Sequence, residues 1–305
     1  MKNVLVIYYT QSGQLLDAAQ HVLSALENDT EVSITYYTIE TEKKFPFPWP
    51  AADFFDAFPE TFRQIPTKIN TPPAAVLNQK FDLVILAYQV WYLSPSIPIN
   101  SFLKSEFALQ ILKNTPVVTL SGSRNMWIKA QEKVKVLLKQ NQAKLVGNIA
   151  MVDRNINLVS VITIVDWMFT GMKRKVWGFL PLPGISDQEM NESKKFGPII
   201  LQHLKQNDFT TLQPELVKQN AVEVRHFLVS MDQKANKMFR AWSYIILKFP
   251  KKRKLLLKLF YYYLFIAIWF LSPLVHLIHT ITLPLQYYKI KKQKKYYQGI
   301  QLNNE

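Results

Sequence analysis

The chain has 305 residues, 49% of them hydrophobic, which suffices for one large domain with an appendage or for two domains. It contains no cysteine, and this excludes disulfides, thiolate catalysis and zinc–thiolate sites. The net charge of +15 is concentrated in residues 239–305, which contain 12 Lys and Arg and the single acid Glu305. The basic clusters flank an apolar run, and this pattern favours a membrane surface over nucleic acid as the binding partner.

The chain opens with a predicted strand and a hydroxyl-rich turn. Residues 3–8 form the continuous apolar run of a buried parallel strand, and residues 15–27 have helical spacing. We interpret the turn between them as a phosphate cradle formed by Thr10, Gln11, Ser12, Gly13, Gln14 and Leu15. Backbone N–H groups at a helix start attract anions. The turn is neither a dinucleotide fingerprint nor a P-loop. By itself it is equally compatible with phosphate binding and with the ordinary strand–turn–helix start of an α/β domain.

Further strands alternate with helical stretches along the chain. They are predicted at residues 32–39, 82–87, 116–120 and 144–152. This alternation predicts an α/β protein with a doubly wound parallel sheet of five strands. In such sheets ligands bind beyond the carboxyl ends of the strands, where the turns 9–15, 88–95 and 121–127 fall.

A segment rich in Pro and Phe follows the second strand, at residues 45–73. Pro46, Pro48 and Pro50 exclude a regular helix at its start, and a short helix is predicted at about 53–64. Two interpretations stay open, an ordered surface loop and an aromatic lid over an apolar ligand.

The second and third turns carry the more specific candidates. Those in the second turn are Gln89, Val90, Trp91, Tyr92 and Leu93, and those in the third are Ser121, Gly122, Ser123 and Arg124. Aromatic rings next to a buried strand can stack on a flat ligand ring, and a small polar turn lets the backbone approach the ring edge. The alternatives are ordinary packing for Trp91 and Tyr92 and a solvated surface position for Arg124.

Together these turns resemble the flavodoxin-like superfamily of FMN/NAD(P)H-dependent oxidoreductases. Residues 10–14 match its phosphate loop, residues 89–95 resemble the loop on one side of the isoalloxazine ring, and residues 121–123 fall at its third loop. Leu15 stands where a hydroxyl residue is usual, and Leu93 where glycine is common. The resemblance covers residues 1–205 and implies a flavodoxin-like, FMN-binding domain, with NAD(P)H open as a second cofactor.

A narrower resemblance, to the bacterial dialkylresorcinol condensing enzymes, rests on the start at Lys2 to Tyr9, the Pro/Phe-rich segment, the loop at 89–93 and the basic apolar tail. It implies an FMN-dependent oxidoreductase of dialkylresorcinol and flexirubin-type pigment biosynthesis, which aromatises a lipid-like dialkyl cyclohexanedione to a resorcinol beside ketosynthase-like enzymes. A membrane-tethered electron carrier and a flavin-free scaffold remain as alternatives. No catalytic base is identified.

Two further stretches follow the last predicted strand. Residues 156–170 are too short to span a bilayer comfortably, and residues 187–205 read as an amphipathic helix. Residues 206–238 are polar and predict a partly helical connector. His276 and His279 lie three apart further on, where a polar seam is favoured over metal binding, so that no metal site is expected.

The tail, residues 239–305, predicts membrane attachment. Lysine-rich clusters flank the apolar stretch 259–285 on both sides, and basic flanks prefer the cytoplasmic side. Pro273 is expected to break the stretch into two arms, each too short to cross. We therefore predict a helical hairpin in the inner leaflet that holds the protein at the cytoplasmic face of the inner membrane. A single crossing and a buried helix pair of a soluble protein are the alternatives.

Overall fold

The structure is a computed structural model that describes residues 1–283 and 287–302. Its strands are β1 (Lys2–Tyr8), β2 (Val32–Thr38), β3 (Leu83–Trp91), β4 (Ser94–Pro95), β5 (Pro116–Ser123) and β6 (Lys144–Val152). Five of them form a parallel sheet in the order β2-β1-β3-β5-β6, and the two-residue β4 pairs antiparallel with the end of β3. With β4 left aside, this is the strand order of the flavodoxin-like α/β fold, which confirms the predicted fold class.

All five predicted strands are present, but two are longer than the sequence pattern predicts. Strand β3 continues to Trp91 because Val90 and Trp91 pair with β4. Strand β5 continues to Ser123 because its ladder with β6 extends that far. The candidate residues 89–91 and 121–123 therefore lie on strand ends and not in turns, so that their backbone groups are largely used by the sheet.

Helices cover both faces of the sheet. Up to residue 218 they are α1 (Gln14–Glu27), α2 (Ala51–Asp56), α3 (Phe58–Phe62), α4 (Ala74–Leu77), α5 (Ile97–Leu103), α6 (Glu106–Leu112), α7 (Ile128–Gln140), α8 (Asn157–Thr170), α9 (Asp187–Ser193), α10 (Phe196–Gln206) and α11 (Leu212–Lys218). Along β1, Val4 and Val6 point to the face covered by α1, α10 and α11, while Leu5 and Ile7 point to the face covered by α5, α6 and α7. Burial on both faces explains the unbroken apolar run of this strand.

The helix predicted over residues 187–205 is in fact two helices, α9 and α10. The chain is interrupted beside a close approach to α1, where a Cβ atom on Gly197 would lie 2.6 Å from the carbonyl oxygen of Val22. A glycine at the start of α10 therefore permits helix packing that no side chain would allow.

The helix predicted at about 53–64 is divided in the same way, into α2 and α3. Pro59 lies in the first turn of α3 and has no N–H with which to continue α2. The aromatic rings of this segment are packed and not displayed to solvent. The side chains of Trp49 and Phe58 are at most 1% exposed, so the segment belongs to the folded body.

The C-terminal part contains α12 (His226–Lys248), α13 (Arg253–Ile266), α14 (Ser272–Thr282) and α15 (Tyr287–Gln298). Helix α12 crosses residue 239, at which the sequence predicts the start of the tail. Five π-helical residues, Ala267–Leu271, join α13 to α14. The resulting apolar helix, Pro250–Ile281, is the one helix in the described part of the chain that is long and apolar enough to cross a bilayer, by length and composition alone.

The predicted break at Pro273 is wrong, because the helix continues through this residue. Proline normally disrupts a helix because it lacks an N–H group and its ring collides with the carbonyl four residues earlier. Here Pro273 lies in the first turn of α14, directly after the wider π-helical turn, where both constraints are relaxed. The last residues of the predicted apolar stretch, from position 284 on, lie outside the described residues.

The apolar helix lies antiparallel along α12. The rings of Phe260 and Phe239 are 5.7 Å apart between centroids, and those of His279 and His226, at the other end of the pair, are 5.0 Å apart. Helix α15 then returns to the sheet domain, where Tyr297 is buried in the same core as β1. Both ends of the apolar helix are therefore attached to the folded body.

The Pro/Phe-rich segment is joined to the tail by one aromatic stack and one charged cluster. The ring of Phe58 stacks on that of Phe260 with 3.8 Å between centroids and 11° between planes. The guanidinium of Arg253 donates to the carboxylates of Asp56, at 2.6 Å, and Glu60, at 2.8 Å. The first turn of α13 thus holds α2 and α3 in place.

A half-buried lysine connects α3, α7 and the short strand β4. The Nζ atom of Lys133 donates to the Ser94 hydroxyl at 2.6 Å and to the carbonyl oxygen of Phe62 at 3.1 Å. Burial lowers the pKa of Lys133 from its ordinary value of 10.5 to about 7. The folded protein therefore holds the proton on this lysine less tightly than the unfolded chain does.

We expect Lys133→Met to flatten the pH dependence of stability above neutral pH. Between pH 7 and 10.5 the unfolded chain binds a proton that the folded protein releases, so the free energy of unfolding of the native protein rises with pH. This contribution rises by up to about 1.4 kcal/mol per pH unit. Burial also raises the pKa of Asp232 from 3.8 to about 7. The contribution of this carboxyl to the free energy of unfolding therefore falls as the pH rises from 3.8 to about 7, and it is constant above that range.

The measurement is denaturant unfolding at several pH values above neutral. Lys139→Met is the matched control, because Lys139 is exposed on the same helix. Lys139→Met should keep the native slope and Lys133→Met should lose it. Equal slopes in the two variants would contradict the assignment.

Candidate functional site

The turn between β1 and α1 has open space beside Gly13. The Thr10 hydroxyl accepts a hydrogen bond from the Gly13 N–H at 3.1 Å, which shapes the turn. Gly13 has a φ of +88°, and no atom lies within 4 Å of the position that a Cβ would take. Ser12 is half-buried beside it. The turn therefore leaves room for an anion at the N-terminus of a 14-residue helix.

The two glutamines of this turn bind other parts of the protein. The side-chain N–H of Gln11 donates to the carbonyl oxygen of Pro46 at 2.9 Å. The Gln14 amide donates to the carbonyl oxygen of Ile185 and accepts from its N–H, each at 3.0 Å. A Cβ on Gly184 would collide with the Gln14 amide oxygen, at 2.4 Å. These two side chains lie on either side of the turn and already make hydrogen bonds within the protein.

The structure brings the first and third predicted loops together. Leu15 lies against Gly122, where a Cβ atom would be 3.1 Å from a methyl group of Leu15. The neighbouring strand ends carry the buried side-chain oxygens of Gln89, Ser123 and Asn125, which have no hydrogen-bond partner among the described residues. An unpaired buried acceptor costs about 1–3 kcal/mol, so these atoms favour a ligand or water with donor groups.

Trp91 is covered by the protein's own aromatic rings. Its ring centroid lies 4.6 Å from that of Trp49, 5.2 Å from that of Phe45 and 5.9 Å from that of Tyr9. Burial raises the pKa of the Tyr9 hydroxyl to about 12, so this group stays protonated near neutral pH. Val90 is half-buried beside Trp91. This wall is apolar, and Phe45 and Trp49 must move before a flat ring can reach Trp91.

Tyr92 and Leu93 form the tight turn that directly follows Trp91. Both residues have a left-handed backbone, with φ values of 47° and 60°, and this turns the chain away. The Tyr92 ring packs on Phe58 at 5.1 Å, and its hydroxyl donates to the carbonyl oxygen of Phe54. Leu93 therefore belongs to the cluster that packs on the tail, and Tyr92 packs between this cluster and the one around Trp91.

Arg124 supports a helix start. Its guanidinium donates to the backbone carbonyl and the side-chain oxygen of Asn157, at 3.1 and 2.7 Å. Burial lowers the pKa of Arg124 to about 10, against the opposing effect of Asp153. Ser121, the first candidate of this loop, is fully buried on β5. Neither side chain lies free to meet a ligand in this conformation.

Helix α8 also contributes to this edge of the sheet, although no motif in the sequence indicates it. The backbone of Met168 accepts a hydrogen bond from the Trp49 N–H at 2.8 Å, and Phe169 packs on Phe54 at 5.9 Å. The available signal was position: α8 follows the last parallel strand, so it begins at the ligand-binding edge of the sheet. Helix α8 and the segment at 45–56 together cover this edge.

Comparisons with known proteins give only distant likenesses. No protein-family model matches the sequence, and a search of the curated proteins gives no match. Among solved structures, the chain is similar to a flavoprotein from Lactobacillus acidophilus in complex with FMN, at 16% identity and a TM-score of 0.39, over 49% of this chain and 93% of that one.

Two further structures are similar at the same level. A putative flavoprotein from Bacteroides eggerthii is 17% identical, with a TM-score of 0.38, over 51% of this chain and 91% of that one. A flavodoxin from the domain Archaea is 10% identical, with a TM-score of 0.36, over 67% and 99%. Likenesses at such TM-scores carry no argument about the ligand.

Proposed function

We propose that this protein binds FMN at the carboxyl ends of β1, β3 and β5 and acts in redox chemistry. The observation that carries the proposal is the strand order, because sheets of this order bind their ligand where the order reverses, between β1 and β3. The open turn at Ser12 and Gly13 lies at that point. In the described part of the chain, no group of three or more His, Asp or Glu could hold a metal ion.

The side chains at the site fit the parts of FMN. The Ser12 hydroxyl and the N–H groups at the start of α1 would hold the phosphate. The unpaired oxygens of Gln89, Ser123 and Asn125 would accept from its hydroxyl and ring N–H groups. Trp91 would contact the ring once Phe45 and Trp49 have moved aside. Bound FMN would supply hydride or electron transfer, and the protein would position and shield it.

We expect Ser12→Glu to weaken FMN binding by at least about tenfold. Two like charges about 4 Å apart repel by about 1 kcal/mol in water and by about 4 kcal/mol near a protein surface. Thr30→Glu is the control, because it adds the same charge on an exposed residue beyond the other end of α1. The measurement is an equilibrium titration with FMN, and an unchanged affinity of Ser12→Glu would refute the phosphate assignment.

We expect Trp91, and not Tyr92, to quench bound flavin. Trp91→Leu should raise flavin fluorescence and lower affinity, because a stacked indole ring is removed. Tyr92→Phe should change neither, since the Tyr92 hydroxyl donates to the carbonyl oxygen of Phe54 and the ring also packs toward the tail. The measurement is steady-state emission at saturating FMN. If Trp91→Leu behaves like the native protein, Trp91 is a packing residue.

The reaction that we propose is oxidation of an apolar ring substrate. Helix α8 and the aromatic residues at 45–56 give the covered edge of the sheet an apolar lining. The sequence resemblance to dialkylresorcinol condensing enzymes favours a dialkyl cyclohexanedione, which loses a hydride and a proton to become a resorcinol. Ketosynthase-like enzymes would make this substrate.

Two measurements separate this enzyme from the alternatives. The absorbance spectrum of the purified protein shows whether flavin is bound. If no flavin is bound even after FMN has been added, the protein is a flavin-free scaffold. Substrate-dependent flavin reduction without a second protein identifies an oxidoreductase. If the flavin is reduced and reoxidised only by protein partners, the protein is an electron carrier.

We also propose that the tail attaches the protein to the cytoplasmic face of the inner membrane. One side of the apolar helix packs on α12 through Leu257 and Phe260. The other side exposes a row of large apolar side chains, Leu255, Leu259, Phe265, Phe270, Leu274, Leu277 and Ile281. A helix held in this way fits an interfacial position, parallel to the bilayer, better than a crossing.

High salt should leave the full-length protein in the membrane fraction, because burial of apolar surface is not screened by ions. Phe270→Glu combined with Leu274→Glu should release it, since these residues lie one turn apart on the exposed side. Leu109→Glu, at an exposed site on α6, is the control. Cell fractionation measures the outcome, and release of the native protein by salt alone would contradict the apolar contribution.

A further inference from the structure

A second exposed apolar surface lies outside the tail, around α8. Trp177 is 69% exposed, Phe179 is 73% exposed and Met172 is 50% exposed, all on the segment 171–182 that follows α8. Ile156, at the other end of α8, is 76% exposed. Single exposed apolar residues are ordinary, but several large ones on one segment mark a contact surface.

The two rings are presented by a tight turn. Trp177 has a left-handed backbone with a φ of 54°, and Gly178 follows at +79°. Val176 is buried beneath them, so the turn is fixed to the body while the rings point outward. The ring centroids of Trp177 and Phe179 are 6.1 Å apart. A left-handed backbone is unfavourable for a non-glycine residue, and the exposed Trp177 gains little packing in return.

Positive charge lies directly beside these rings. Lys173, Arg174 and Lys175 precede them and are all exposed. Arg174 pairs with Asp166, and Lys173 lies 3.9 Å from Asp187, so part of this charge is compensated. Aromatic rings next to exposed lysines are typical of segments at the headgroup level of a bilayer. The rings lie at the boundary between headgroups and acyl chains, and the cations lie near the lipid phosphates.

The end of α8, directly before this surface, is linked to the apolar helix of the tail by a row of rings. The ring of Phe169, at the end of α8, lies 5.9 Å from that of Phe54. The ring of Phe54 lies 5.1 Å from that of Phe55, which lies 5.3 Å from that of Tyr261 on α13. Tyr261 is 45% exposed, so this row of rings leads from the end of α8, across α2, to the exposed side of α13.

We infer that Trp177 and Phe179 enter the headgroup region of an anionic bilayer, with Lys173 and Lys175 facing lipid phosphates. The inference rests on the proposed membrane attachment and extends it. The lipid-contacting side then reaches from the tail to α8, which covers the candidate ligand site. An apolar ligand would pass between the bilayer and the site along α2 and α8 without crossing water.

The test uses the absence of cysteine, because a single introduced cysteine carries the only thiol-reactive label. A polarity-sensitive fluorophore is placed on Phe179→Cys, on Leu274→Cys in the tail and on Leu109→Cys at the exposed control site. The full chain is mixed with vesicles of phosphatidylethanolamine and phosphatidylglycerol. We expect brighter emission at shorter wavelength for positions 179 and 274, and no change for position 109.

The outcomes separate this inference from the membrane proposal. A response at position 274 without one at 179 overturns the inference and keeps attachment by the tail. No response at either position overturns both. An equal response at position 109 indicates non-specific adsorption and also overturns the inference.

A second measurement does not depend on labelling. Trp177→Ser combined with Phe179→Ser should lower vesicle partitioning by about tenfold or more, because two large aromatic side chains lose their burial. Leu109→Ser combined with Val136→Ser is the matched control, since both of these residues are also exposed. Circular dichroism checks that the variants are folded. Unchanged partitioning of the aromatic variant would overturn the inference.

Discussion

The arrangement of this protein depends on aromatic packing between the Pro/Phe-rich segment and the apolar helix. Phe58 stacks on Phe260, and Arg253 binds Asp56 and Glu60 beside them. The same segment packs Phe45 and Trp49 on Trp91 at the edge of the sheet. One face of the segment is therefore determined by the tail and the other by the candidate ligand site. Without the tail, the cover of that site would lose the surface on which it rests.

The sheet could be predicted from the sequence because its physical cause is local. A parallel strand that is buried on both faces needs an unbroken apolar run, and such runs stand out between polar turns. The edge at which a ligand binds follows from the alternation of strands and helices. The continuity of the helix through Pro273 was not predictable in this way, because it depends on a π-helical turn that no residue pattern in the sequence indicates.

The site itself was only partly predictable, because side-chain partners far apart in the sequence decide it. Gln14 bonds to Ile185, and Arg124 bonds to Asn157, so two apparent ligand residues are used inside the protein. Tyr92 follows Trp91 in the sequence, yet a left-handed backbone turns its ring toward Phe58 on the tail side. What remains open to a ligand is the turn at Ser12 and Gly13, together with the unpaired oxygens on the ends of β3 and β5.

The burial of Tyr297 has a consequence for synthesis of the chain. This residue of α15 lies in the same core as Val4 of β1, so that core joins two segments at opposite ends of the described sequence. A ribosome releases α15 only after the whole apolar helix has emerged. The core stays incomplete until then, and contacts between segments so distant form slowly. The apolar helix therefore leaves the ribosome before the core that fixes its far end is complete, and its exposed side is available to a nearby bilayer or a chaperone during that time.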